Sequence, residues 1–269
     1  MGIVLSCCNF KGGVGKTTSA LNLAAALHTA GKKVLIIDDD HQGNLTAAVG
    51  FTPAELKYTL ANLLSAAIDY PEDIGVHLQR TVLSVKDGLD LIPANKRLAD
   101  AATRLQVMQL SQYSEKACET VMNELLMPLR NQYDYIIIDC GLQHELLTVN
   151  ALAASDYCII PVQAHFLASE GIPDVLDMVR SVQTRFNPKL QIAGILLTMY
   201  QSRPQLCQSV KENVSEIYGQ SFHVFERPIE YSIKVAECPA AGCSIFEHAP
   251  KNAAADSYRS LAEEVLRLE

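Results

Sequence analysis

Apolar residues in this chain fall into short continuous runs separated by longer stretches with helical spacing. Six runs read as strands: Ile3 to Cys8, Val34 to Asp38, Leu89 to Pro93, Tyr135 to Asp139, Tyr157 to Val162 and Ile192 to Thr198. They are apolar on successive rather than alternate residues, the pattern of strands covered on both faces. Helical spacing is found from Thr17 to Ala30, Glu115 to Leu126, Ile172 to Thr184, Leu206 to Ile217 and Ala253 to Leu268, with Gly31 and Asn187-Pro188 as stop signals. This alternation predicts an α/β fold, a mainly parallel twisted sheet with helices on both faces. Between Thr46 and Gly88 helix and loop signals mix, and no definite element is predicted. No linker, repeat or low-complexity tract interrupts the chain, so residues 1–269 read as one domain.

Composition narrows the class. With 49% hydrophobic and 19% charged residues the chain has the make-up of a globule. Its formal charge of −8, from 22 Lys+Arg against 30 Asp+Glu, argues against a surface that is nucleic-acid footprint throughout. A local basic patch survives any net charge. No apolar run approaches the roughly 18 residues of a membrane span. The first residues run directly into Ile3-Val4-Leu5, so no secretory signal is expected. The eight cysteines form no CxxC pair, and Cys7 and Cys8 are adjacent. Reduced thiols and a cytoplasmic location are the expectation.

Candidate chemistry centres on Asn9-Phe10-Lys11-Gly12-Gly13-Val14-Gly15-Lys16-Thr17-Thr18, between the first strand and the first helix. Glycines there let backbone N–H groups turn inward around phosphate oxygens, and the helix N-terminus adds its positive dipole end. Lys16 is placed to reach the β- and γ-phosphates, and the Thr17 hydroxyl to ligate magnesium. Phe10 stands where the usual GxxxxGK[ST] pattern has its first glycine, and Lys11 is an additional lysine at the start of the loop. A glycine-rich turn with solvated lysines has the same composition, but not this strand–loop–helix context.

The chain resembles the deviant-Walker ATPases typified by ParA, Soj and MinD, over nearly its whole length. The resemblance rests on KGGVGKTT and on Val34 to Asn44, similar to that family's DxDPQGN strand end. It also rests on Tyr133 to Asp139, similar to the Walker B strand, and on Ala154 to Gln163, Ile195 to Tyr200 and Ala236 to Gly242. It implies ATP and Mg²⁺ as cofactors, with Gly12, Gly13, Val14, Gly15, Lys16, Thr17 and Thr18 cradling the phosphates. Thr17, Asp38 and Asp139 would hold the metal. Asp40 takes the family position that orients or activates the attacking water, whereas Asp39 reads as a solvated turn residue. Lys11 takes the position that reaches the phosphates of a facing subunit, which implies a homodimer in the ATP state. Pro228 falls near the expected adenine site.

The chain also departs from the family pattern. Asp139-Cys140-Gly141-Leu142-Gln143-His144 replaces DxPPS, His41 replaces the proline of DxDPQ, and Pro228-Ile229-Glu230 stands where PRN is usual. His41, Cys140 and His144 match no zinc spacing. Three functions compete on this scaffold: a partition ATPase with a ParB-like activator and non-specific DNA, a MinD-like positioning ATPase on a membrane or protein scaffold, and a metal-cluster carrier or ligase. The carrier lacks CxxC ligands. The tail stripe Leu261, Val265 and Leu268 carries glutamates that anionic lipid would repel, so it is expected to pack inward rather than bind membrane. Partition is the favoured reading. Arg180, Arg185, Lys189, Arg203, Lys211, Arg227 and Lys234 are its candidate DNA contacts.

Overall fold

The computed structural model describes residues 1–110, 117–142, 145–165, 171–201 and 205–268. In chain order the elements are β1 (Ile3–Cys7), α1 (Lys16–Thr29), β2 (Val34–Asp39), α2 (Asn44–Ala48), α3 (Leu60–Asp69), α4 (Ile74–Thr81), β3 (Leu83–Lys86) and β4 (Leu89–Ile92). There follow α5 (Leu98–Leu110), α6 (Val121–Leu126), β5 (Tyr135–Cys140), α7 (Glu145–Ala154), β6 (Tyr157–Gln163), α8 (Ile172–Arg185) and β7 (Gln191–Thr198). The remaining helices are α9 (Gln205–Tyr218), α10 (Ile233–Ala241), α11 (Ile245–His248) and α12 (Ala253–Leu266).

The strands form one seven-stranded sheet in the order β3-β4-β2-β5-β1-β6-β7. Every pair is parallel except the β3–β4 edge hairpin. Side chains alternate across the sheet, as strand geometry requires. Val4, Leu35, Ile136 and Ile160 enter one core with α3 and α5 to α8, while Leu5, Ile36, Ile137 and Ile159 enter the other with α1 and α12. The continuous apolar runs are therefore the signature of a sheet with two covered faces, as the sequence predicts.

All six predicted strands are present. Helices α2, α3, α4, α5, α7, α10 and α11 and strand β3 are additional to the sequence reading. Three of the helices, with β3, fill the ambiguous stretch after Thr46. The helix expected from Glu115 begins at Val121, after a 3₁₀ turn at Cys118–Thr120; Glu115 itself lies outside the described residues.

Parallel strands bring their carboxyl ends to one edge, and open α/β sheets place their ligands there. The loops after β1, β2 and β5 meet at that edge.

Candidate active site

The loop leaves β1 at Cys7 and becomes α1 at Lys16. Gly13 and Gly15 have φ of 74° and 85°, values that other residues adopt only with strain, and Gly15 is the residue from which α1 starts. The first turn of α1 carries no acidic residue. Its N–H groups and dipole end are therefore open to an anion. Thr198 at the end of β7 supports the turn from below, its Oγ1 donating to the Val14 carbonyl at 2.8 Å. Lys16 is 8% exposed, and its Nζ donates to the Lys11 carbonyl at 3.2 Å.

Beside the loop stand the carboxylates. Register pairs Asp38 of β2 with Asp139 of β5, and Cys7 of β1 with the same Asp139. All are buried. Asp38 is held firmly: Oδ2 accepts from the Thr46 N–H at 2.8 Å and from the Thr46 hydroxyl at 2.6 Å, and Oδ1 from the Asp40 N–H at 3.2 Å. Burial pushes its carboxyl up to about 6 against these bonds. Among the described residues Asp139 has no hydrogen-bond partner on either oxygen. Burial first, and the Asp38 charge second, hold its carboxyl well above the usual carboxylate range, while the Thr17 hydroxyl and the Lys16 ammonium pull the other way. An orphaned buried carboxylate facing a threonine hydroxyl and a lysine is a place for a cation. Asp40 is more open, with a side chain 16% exposed; its Oδ1 accepts from the Gln42 N–H at 3.0 Å.

Asp39 corrects the sequence reading. It is no solvated turn residue: β2 continues through it, it is 1% exposed, and neither oxygen is hydrogen-bonded among the described residues. Burial, then the charges of Asp38 and Asp139, raise its carboxyl well above the usual range. The replacement of DxPPS is also accommodated tightly. A Cβ at Gly141 would lie 2.9 Å from the Asp39 carbonyl oxygen and 3.2 Å from Asp40 Cα, so the loops after β2 and β5 pack backbone to backbone. His144 lies outside the described residues. Among those residues, no group of three or more His, Cys, Asp or Glu side chains forms a metal cage. A magnesium ion fits such a site because it keeps few protein ligands and shares phosphate oxygens.

A cavity of about 150 Å³ adjoins the loop at Gly15 and Thr18. Met199, Ile229, Val235, Ala236, Pro239 and Tyr258 give it apolar walls, with Glu230, Tyr231 and Ser232 on its lining. Its position and walls suit a flat base. Pro228 is buried and does not line this cavity.

A family model described as an AAA domain matches residues 2–192. The sporulation initiation inhibitor protein Soj of Bacillus subtilis is 38% identical over 265 residues, covering 98% of this chain and 98% of that protein. The chromosome-partitioning ATPase Soj of Thermus thermophilus is 37% identical over 258 residues, covering 96% of this chain and 93% of that protein. The chain belongs to the ParA/Soj family of P-loop ATPases. Among solved structures, cobyrinic acid a,c-diamide synthase from Mycobacterium smegmatis, with a bound ATP analogue and magnesium, has a TM-score of 0.81 at 30% identity. That match covers 99% of this chain and 95% of the other.

As a ParA/Soj-type chain it keeps its tail folded in. Tyr258, Leu261 and Val265 of α12 are buried in the core shared with α1, and Leu268 packs on its edge. No described helix is long and apolar enough to cross a membrane. Several of the candidate DNA contacts already have neighbours. Lys234 pairs with Glu237 at 2.8 Å, Arg180 lies 3.9 Å from Asp177, and Arg185 sits over the Phe186 ring. Lys211 donates to the Glu226 carbonyl, and Lys189 lies beyond α8 with Lys32, Lys33 and Arg130 around an open basin. Arg203 lies outside the described residues. Sequence reasoning missed Thr46 and Thr198, whose roles depend on hydrogen bonds outside their own motifs, and the cavity beside Gly15 and Thr18.

Proposed function

We propose that this ParA/Soj-type ATPase, acting as one domain over residues 1–269, dimerises in the ATP state, holds DNA non-specifically in that state, and is stimulated by a ParB-like partner. The observation that supports its chemistry best is the unpartnered Asp139 carboxylate set against Thr17 and Lys16 at the mouth of the loop. Gly12, Gly13, Val14, Gly15 and Thr18 offer main-chain and hydroxyl groups to the phosphates. Lys16 supplies a positive charge to the β- and γ-phosphates. Thr17 and Asp139, with Asp38 behind them, are the residues to hold magnesium, which when bound neutralises phosphate charge and orients the transferred group.

Asp40, at the exposed end of the acidic run, is placed to orient the attacking water. Lys11 serves the facing subunit. A cation supplied in this way is worth about 10³–10⁵ in rate in phosphoryl transfer, which agrees with a slow basal rate when the dimer is transient. DNA contact falls to Arg180, Arg185, Lys189, Lys211 and Arg227 once two copies are joined. Such activity places the protein in the cytoplasm, at the nucleoid.

The net charge of −8 favours a second reading, a MinD-like or other ParA-like positioning ATPase that acts on a protein scaffold or membrane rather than on DNA. The test of the chemistry is phosphate release with and without magnesium, for wild type and Lys16→Ala. Hydrolysis is expected to need magnesium and to fall about 100-fold or more in the variant; equal activity in both proteins would overturn the assignment.

A further inference from the structure

Asn9 stands three residues before Gly12, the first glycine of the loop, and is 3% exposed. Its amide bonds in two directions. Nδ2 donates to the Pro161 carbonyl of β6 at 2.8 Å, and Oδ1 accepts from the Lys11 N–H at 2.9 Å. The carbonyl of the same Lys11 accepts from Lys16 Nζ at 3.2 Å. The Lys11 main chain is therefore held from both sides, by a neutral amide anchored in the sheet and by the lysine that serves the phosphates. Gly171 keeps the space above open, since a Cβ there would lie 3.0 Å from Asn9 Oδ1 and 3.7 Å from Lys11 Cβ. Beside it a cavity of about 180 Å³ is lined by Asn9, Lys11, Val14, Gln163 and His165.

The Lys16 ammonium has three donors, so it can reach a phosphate and keep the Lys11 carbonyl. The Asn9 amide ties the loop at Lys11 to the Pro161 carbonyl of β6, a frame that nucleotide need not move. A buried amide with both halves satisfied also resists rearrangement, since breaking either bond leaves an unpaired polar group.

We propose that Asn9 is the positioning residue of Lys11. By holding the Lys11 N–H from an amide anchored on β6, Asn9 fixes the point from which the Lys11 side chain projects toward a facing subunit. The inference rests on the reading of Lys11 as a contact across the dimer.

The experiment measures ADP affinity and ATP-driven dimerisation, by light scattering, for wild type, Lys11→Ala, Asn9→Ala, Asn9→Ser and the Asn9→Ala/Lys11→Ala double variant. Asn9→Ala is expected to keep ADP affinity within about 3-fold and to weaken dimerisation about 10-fold, the worth of a lost buried hydrogen bond. The Asn9→Ser hydroxyl can still accept from the N–H two residues on, so this variant should recover part of the loss. The double variant should be no worse than Lys11→Ala, because both changes remove one function. Loss of ADP affinity in Asn9→Ala and Asn9→Ser to the same degree as dimerisation would mean general damage to the loop and would overturn the inference. So would wild-type dimerisation in Asn9→Ala when Lys11→Ala has lost it. If Lys11→Ala itself dimerises normally, the reading of Lys11 fails, whatever Asn9 does.

Discussion

Asp38 and Asp139 face each other in register on neighbouring strands, yet only Asp38 has its oxygens hydrogen-bonded. The difference lies in what each strand leads into. After β2 the chain turns into α2 and brings Thr46 back under Asp38, while Asp139 is buried with neither oxygen hydrogen-bonded among the described residues. One carboxylate organises the loop, and the other is the one we propose for an incoming cation.

That asymmetry predicts opposite effects on stability and activity. Asp139→Asn removes a buried, unpaired carboxyl and should leave the nucleotide-free protein as stable as wild type or more stable, by up to about 2 kcal/mol. Magnesium-dependent hydrolysis should fall at least about 100-fold. Denaturant unfolding without nucleotide, combined with phosphate-release assays, checks both halves. A clear loss of stability would mean that Asp139 has a structural partner.

Asp39 should show itself in the pH dependence of stability. Its carboxyl titrates well above the usual range in the folded protein, and near 3.9 when unfolded. Between those values the folded state binds more protons than the unfolded one, so stability falls as pH rises, by up to about 1.4 kcal/mol per pH unit for one such group. Asp38, raised to about 6, adds a slope of the same sign over a narrower window. Asp39→Asn should flatten the slope while leaving Asp38 and Asp139 to act as before. Unfolding free energies from pH 4.5 to 7.5, without nucleotide or magnesium, should therefore diverge between variant and wild type as pH rises. Parallel curves would mean that Asp39 is not held neutral.

Asp40 and Lys11 separate hydrolysis from assembly. Asp40→Ala should bind ATP and accumulate as a dimer, because it loses water orientation and keeps the phosphate contacts. Lys11→Ala should keep nucleotide affinity and lose both the dimer and DNA binding. Each phosphate contact adds roughly 0.9 to the log–log salt slope, so a dimer that doubles the contacts should show a steeper slope than any monomer. A DNA retardation series across salt, with ATP and with ADP, reads this directly. If no form binds DNA at low salt, the scaffold reading replaces partition.

The loop from Asn9 to Thr18 was legible because its parts are contiguous: glycines that allow positive φ, a lysine and a threonine at the start of a helix. Asp38 and Asp139 were legible because strand ends can be read from apolar runs. Asp39 was misread because β2 was ended one residue early, and that one residue decides whether a side chain meets solvent or the helix layer on the opposite face. Pro228 was read from motif spacing, whereas the cavity beside Gly15 and Thr18 is formed by residues between Ile229 and Pro239 together with Thr198, Met199 and Tyr258, which only the three-dimensional path brings together.

The sequence by itself determined the α/β class, the six strands that carry the site, and the phosphate loop, since each depends on residues close together in the chain. Tertiary structure alone decided that Thr46 satisfies Asp38, that Asp139 is left unpaired among the described residues, and that Asn9 ties Lys11 to Pro161. Apart from the two-residue step from Asn9 to Lys11, those contacts join residues from 8 to 184 positions apart when the support of Val14 by Thr198 is counted with them. Hydrophobic periodicity fixes which face a residue takes, but not which distant hydrogen-bond partner folding brings to it.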